Sequence, residues 1–246
     1  MITFYDIAST VPGITFNINT WKTRYSLNYK QIPYKTEWVE IPDIERVCKK
    51  MGIPPSNKKA DGSDYYTLPA IYDASTNTGI SDSLVIAAYL DKTYPDKPTL
   101  LPAGTEALHA AFVDAFMSKI GPSFRYFVPS ILKLMSPSSV DFFIQSRSAA
   151  LGKPFLDTLP VGAEREAEWK NIEACFTALD GWYQKNGGGP FIMGDTPSFS
   201  DFAVGGLLGS GKAVSHDIPE WSSVLEWHNG RWKKLGEALE KYAHVV

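Results

Sequence analysis

Apolar and polar positions follow one kind of pattern in the first hundred residues and another after them. Short apolar, β-branched runs first alternate with helical stretches. Ile2 to Ile7 predicts a strand, and Pro12-Gly13 marks a turn in the loop behind it. From Asn17 to Lys30 the spacing of Trp21, Arg24, Tyr25 and Leu27 predicts a helix, which Pro33 ends. Tyr34 to Ile41 predicts a second strand. Ile44 to Met51 predicts a short helix closed by Gly52, and the polar, proline-containing stretch Ile53 to Ser63 predicts a loop. Ala70 to Tyr72 is short and apolar, as a buried strand is, and Pro69 suits its first position because proline cannot donate to a ladder. Ser75-Thr76-Asn77 turns the chain, Thr78 to Ser81 returns as a strand, and Leu84 to Leu90 is an almost wholly apolar helix. The order is β-α-β-α-β-β-α, a thioredoxin-like domain over 1–95.

Residues 96–104, with Lys97-Pro98 and Leu101-Pro102-Ala103-Gly104, predict a linker, and no strand pattern follows. Leu108, Phe112, Phe116 and Ile120 repeat at steps of four and predict one inward stripe on a helix over 105–120. Phe124 to Met135 is apolar and aromatic; Ser136-Pro137 opens a helix reaching Leu151. Glu164 to Asn186 predicts a long helix with Trp169, Ile172, Phe176, Leu179 and Tyr183 on one side. Ser198 and Asp201 have the spacing of a reciprocal capping box ahead of a glycine-rich apolar helix. Trp221, Leu225, Trp232, Leu235 and Leu239 belong to terminal helices. Residues 105–246 thus form an all-helical domain, and the fold class is α/β followed by all-α.

Composition narrows the function classes. The 246 residues are 44% hydrophobic and 13% aromatic, enough for a substantial core, and the formal charge of −3 shows no basic footprint for nucleic acid. Cys48 and Cys175, far apart, are expected as free buried thiols in a reducing compartment. The first residues carry neither a basic stretch nor a long apolar one, and no run is long enough for a membrane span, so a cytoplasmic protein is expected. His109, His216, His228 and His244 lack ligand spacing, so no metal site is expected, and no Ser-His-Asp grouping, P-loop or dinucleotide fingerprint appears.

The densest candidate chemistry lies between Tyr66 and Leu90. Asp82 and Ser83 stand where a helix begins, offering free N–H groups and a positive dipole end to a carboxylate, with Asp82 available to an ammonium. Leu68-Pro69 leads into the preceding strand; X-Pro bonds are cis in only about 5–6% of cases, so the residues leave the isomer open. A strand edge beside an amino-acid binder describes a site for a small charged peptide.

Thr67-Leu68-Pro69-Ala70-Ile71 followed by Ser81-Asp82-Ser83-Leu84-Val85-Ile86 resembles the glutathione-binding half of glutathione transferases, most closely the fungal-specific class A enzymes related to bacterial lignin β-etherases. The resemblance implies glutathione as co-substrate, a cis-proline at Pro69 whose preceding residue, Leu68, pairs with the cysteinyl part, and a γ-glutamyl end held by Asp82 and Ser83. It implies a homodimer, and a detoxifying attack of the glutathione thiolate on hydrophobic, aromatic or phenol-derived electrophiles, with etherase- or peroxidase-type side activity. The thiolate donor belongs in the loop after the first strand. Register with the etherase-like enzymes puts Asn17 where they carry serine; Ser9, Thr10 and Thr15 are rival donors. The loop has no cysteine, against omega-type chemistry. Lys58 and Lys59 are candidates for the glycyl carboxylate, and Phe16, Phe116, Tyr126 and Phe127 for walls of the hydrophobic substrate site. Lys22 and Arg24 are expected at the helix surface and in an interdomain ion pair. The departure at Asn17 keeps a second reading open, a non-catalytic or weakly catalytic ligandin or Ure2-like glutathione-binding protein.

Overall fold

A computed structural model describes residues 1–246. Four strands form the main sheet: β1 (Ile2–Ile7), β2 (Tyr34–Val39), and further along the chain Ala70–Asp73 and Thr78–Ser81. Between them lie α1 (Ile18–Tyr29), α2 (Ile44–Lys50) and a two-stranded hairpin, β3 (Asn57–Lys58) with β4 (Asp64–Tyr65), so the last two sheet strands are β5 and β6. The order in the sheet is β2-β1-β5-β6; β1 and β2 run parallel, joined by α1, and β5 runs antiparallel to both β1 and β6. Helix α3 (Ser83–Thr93) completes the domain. The first strand of the small hairpin lies inside the stretch 53–63 read as a loop, and the second directly follows it. The strands are two exposed or half-exposed residues each, too short to leave an alternation in the sequence.

The second domain is helical: α4 (Glu106–Ile120), α5 (Val128–Leu132), α6 (Pro137–Leu151), α7 (Gly162–Tyr183), α8 (Phe199–Val214), α9 (Trp221–Val224) and α10 (Trp227–Leu239). Helix α8 is its core, with Phe199, Phe202, Ala203 and Val204 all fully buried. The capping box forms: Ser198 N–H and Oγ both donate to Asp201 Oδ2 at 2.9 Å, and Tyr183 donates to Oδ1 at 2.9 Å. Helix α4 departs from the predicted stripe. Steps of four residues advance about 40° beyond a full turn each time, so the three steps from Leu108 to Ile120 walk off any one face. Phe116 and Ile120 face inward as predicted, but Leu108 is 68% exposed and His109 takes the inward place beside it.

The two domains meet along α1 and α8. Eleven of the twelve α1 residues are buried, polar ones included. Close approach needs small residues on α8. A Cβ at Gly206 would lie 2.6 Å from the Ile18 carbonyl oxygen, and one at Gly209 would lie 2.7 Å from the Trp21 indole. Two further ties span the domains. The Thr10 amide donates to the Leu134 carbonyl at 2.9 Å, and Glu40, beyond β2, accepts from the hydroxyls of Ser136 and Ser139.

Candidate functional site

Sheet direction gathers the candidate residues at one edge. Because β5 and β6 are antiparallel, with Ala70 opposite Ser81, the start of β5 and the end of β6 are neighbours. Tyr5 of β1 pairs with Ala70, so the loop leaving β1 emerges at the same edge. Leu68-Pro69, Asp82-Ser83 and the loop before α1 thus surround one point. The Leu68-Pro69 peptide bond is cis, as the resemblance implies, and Leu68 is buried.

Asp82 adopts φ 73° and caps α3, its Oδ1 accepting from the Leu84 and Val85 amides at 2.8 and 3.2 Å. Asp82 is exposed, and the capping bonds leave its second oxygen unused. Ser83 opens the helix and is 7% exposed. Its amide belongs to the unbonded first turn, with the positive end of the helix dipole behind it.

The four loop candidates separate by what already occupies them. Thr15 is buried and its hydroxyl donates to Asp6 Oδ2 at 2.9 Å; the same oxygen accepts from Arg24 at 2.8 Å. That proton is committed beneath the loop. Thr10 is exposed, its hydroxyl turned to the Lys133 carbonyl of the helical domain. Ser9 Oγ accepts from the Val11 amide at 3.1 Å, which leaves its own proton free. Asn17 is half-buried and caps α1, with Oδ1 accepting from the Asn19 and Thr20 amides at 2.8 and 3.1 Å. A planar amide whose oxygen faces its helix directs its nitrogen the other way, so Asn17 Nδ2 is presented outward.

Charged residues depart further from expectation. Arg24 is fully buried and pairs with Asp6 inside the first domain, neither surface nor interdomain. Lys22 is 4% exposed, and burial pushes its ammonium down to about 8, opposed by the Asp82 and Asp114 carboxylates. A lysine in a helix that also carries Asn19, Thr20, Thr23, Arg24, Ser26 and Asn28 gives no sequence sign that it is enclosed. Lys58 is exposed and tied to Asp64 at 2.5 Å, whereas Lys59 is exposed with no ion-pair partner.

The aromatic candidates are corrected. Phe116, Tyr126, Phe127 and Phe16 are only 0–4% exposed and present no face to a ligand. Tyr126 lies beneath the Arg165 guanidinium, 3.8 Å from its ring centre, and against Trp169; Phe127 packs edge-on against Trp221. Dense aromatic runs fill the core of the helical domain. Phe16 joins a second cluster with Tyr5 and Met135, whose partly exposed rim includes Ile131, Leu134 and Phe143. Leu134 lies beside the loop, its carbonyl accepting from the Thr10 amide, and all three rim residues sit inside apolar runs (Ile131-Leu132, Leu134-Met135, Phe142-Phe143-Ile144), so the sequence does not set them apart from core positions. Burial raises the Cys48 and Cys175 thiols to about 11, so neither is a nucleophile at neutral pH.

Comparison with known proteins agrees with this geometry. Residues 18–93 match the glutathione S-transferase N-terminal domain, and residues 107–242 the glutathione S-transferase C-terminal domain. A glutathione S-transferase-like protein, ustS, of Aspergillus flavus is 30% identical, over 96% of this chain and 88% of its own. A glutathione S-transferase of Ceriporiopsis subvermispora, crystallised in complex with glutathione, superposes with a TM-score of 0.94 at 41% identity, covering 100% of this chain and 98% of that one. Glutathione transferase GSTFuA3 of Phanerochaete chrysosporium superposes with a TM-score of 0.91 at 38% identity, over 100% and 98% of the two chains. The chain belongs to the glutathione S-transferase family, with both domains of that fold and fungal members among its relatives.

Proposed function

We propose that the protein binds glutathione at the sheet edge and activates its thiol for attack on a hydrophobic, aromatic or benzylic electrophile. The observation that carries this reading is the meeting of the Leu68 main chain, the α3 N-terminus and the outward amide of Asn17 at one edge. Leu68 pairs with the cysteinyl part, and Asp82 and Ser83 receive the γ-glutamyl end. Asn17 Nδ2 donates to the thiolate, with the free Ser9 proton as the rival. Lys59, unpaired, suits the glycyl carboxylate better than Lys58. The second substrate rests on the apolar rim of Ile131, Leu134 and Phe143 rather than on the buried rings. A free thiol near pKa 8.5 is only a few per cent ionised at pH 7, so stabilising its anion is the protein's main chemical task. Homodimer formation and a cytoplasmic, detoxifying role belong to the same reading.

Retention on glutathione resin together with turnover of an aryl halide or benzylic electrophile tests it; a chain that does not bind the resin refutes it. The ligandin reading draws on Asn17, a neutral amide whose oxygen is already occupied by capping. Ultraviolet absorbance of the bound thiolate separates the two. A depressed thiol pKa supports catalysis, and a value like that of free glutathione supports a binder.

A further inference from the structure

Three cations lie buried in or beside α1, and two have partners. Arg24 is paired with Asp6 at 2.8 Å and Lys30 with Asp91 at 2.8 Å. Lys22 has none, although it is 4% exposed, and its Nζ keeps a solvent-accessible edge. Helix α1, which carries Lys22, packs against α3, and the acidic groups acting on Lys22 are Asp82, the cap of α3, and Asp114 on α4, neither of them paired with it. Burying an ammonium without a counter-ion is costly, which is why the group is pushed down to about 8. Asp82 and Asp114 offset only part of that cost, and no group of the protein forms an ion pair with Lys22. An anion brought by a ligand would.

We infer that Lys22 is a specificity residue for the amino-acid head of the bound peptide: its ammonium receives the head's α-carboxylate at the first turn of α3, and Asp82 and Asp114 face the head's α-ammonium. The inference rests on the glutathione reading above and adds to it a second residue of α1, one turn beyond its Asn17 cap, and a further element, α4. Charge complementarity favours a zwitterion over a plain anion. Both signs of charge are gathered there: the Lys22 ammonium and the α3 N-terminus on the one hand, the Asp82 and Asp114 carboxylates on the other. A peptide lacking the α-carboxylate leaves Lys22 unpaired and should bind poorly.

The test uses glutathione, 4-aminobutanoyl-Cys-Gly, which lacks the α-carboxylate, and glutaryl-Cys-Gly, which lacks the α-amine. Their affinities are measured by calorimetry on the wild type, Lys22→Met and Lys22→Arg. The wild type is expected to bind 4-aminobutanoyl-Cys-Gly about tenfold or more weakly than glutathione, the scale of one charge-assisted hydrogen bond. Lys22→Met should weaken glutathione and glutaryl-Cys-Gly by about the same factor and leave 4-aminobutanoyl-Cys-Gly within about twofold; Lys22→Arg should recover part of the loss. Methionine fills the space without the charge, so the ligand-free variant should melt no lower than the wild type. Equal weakening of all three peptides by Lys22→Met, or a lower melting temperature of that variant, assigns Lys22 a purely structural role and overturns the inference alone. A wild type that binds none of the three overturns the glutathione reading and this inference with it.

Discussion

Asn17 carries two tasks on one amide, and substitutions can separate them. Oδ1 caps α1 through two hydrogen bonds, and Nδ2 is the proposed thiolate donor. Asn17→Ala removes both. Loss of the cap costs about 1 kcal/mol, which for a chain of this size lowers the melting temperature by about 2–4 °C. Loss of one neutral donor to an anion is worth about 1.5 kcal/mol, or about one unit in the thiol pKa. Asn17→Asp keeps the cap, since aspartate is an equally good N-cap and suits the helix dipole, so stability should hold. It removes the donor and sets a negative charge beside the sulfur, so the bound thiol pKa should rise to that of free glutathione or above. Asn17→Ser keeps a cap and offers a hydroxyl, and should lower the thiol pKa below the wild-type value. The assay is thiolate absorbance of bound glutathione against pH, with kcat/KM for an aryl halide measured alongside melting curves. A thiol pKa that stays constant across all three variants refutes Asn17 as the donor and moves attention to Ser9.

Other predictions follow from the buried charges and the domain seam. Asp6→Asn should strand the Arg24 guanidinium and cost about 3–5 kcal/mol, read as a melting-temperature loss that Arg24→Leu in the same chain partly restores. Lys22 binds its proton less tightly folded than unfolded, so the unfolded chain holds more protons between pH 8 and 10.5 and stability rises with pH across that window. The stabilising advantage of Lys22→Met over the wild type, about 3 kcal/mol at neutral pH as an upper bound, should therefore shrink towards zero by about pH 10 in denaturant titrations. Gly206→Ala drives a methyl into the Ile18 carbonyl and should cost about 1–3 kcal/mol of unfolding free energy. Lys59→Ala should raise the KM for glutathione about two- to fivefold, the scale of an exposed ion pair, and Lys58→Ala should leave it unchanged because Asp64 already holds that lysine.

The sheet edge was legible from sequence because it is built of local signals. Pro69 opens β5, an Asp caps α3, and the capping box at Ser198 and Asp201 obeys a spacing rule that needs no tertiary knowledge. What depends on three-dimensional enclosure was not. Lys22 and Arg24 have surface-type side chains in a helix that tertiary packing surrounds on every side. Tyr126 and Phe127 read as excess apolar residues because the bulk they pack against, Trp169 and Trp221, lies some forty to ninety residues later. The rim of Ile131, Leu134 and Phe143 is set apart from the core only by tertiary packing, which leaves these residues partly exposed around the cluster of Phe16 and Met135.

The glycine-lined seat of α1 against α8 has a mechanical consequence. A helix gripped this closely by both halves of the molecule acts as an axle rather than a hinge: neither half can swivel without dragging the other. Co-substrates of different girth must then be accommodated by local yielding of the short helical segments at 121–135, and a survey of electrophiles by bulk should show activity falling off in step with what that stretch alone can absorb.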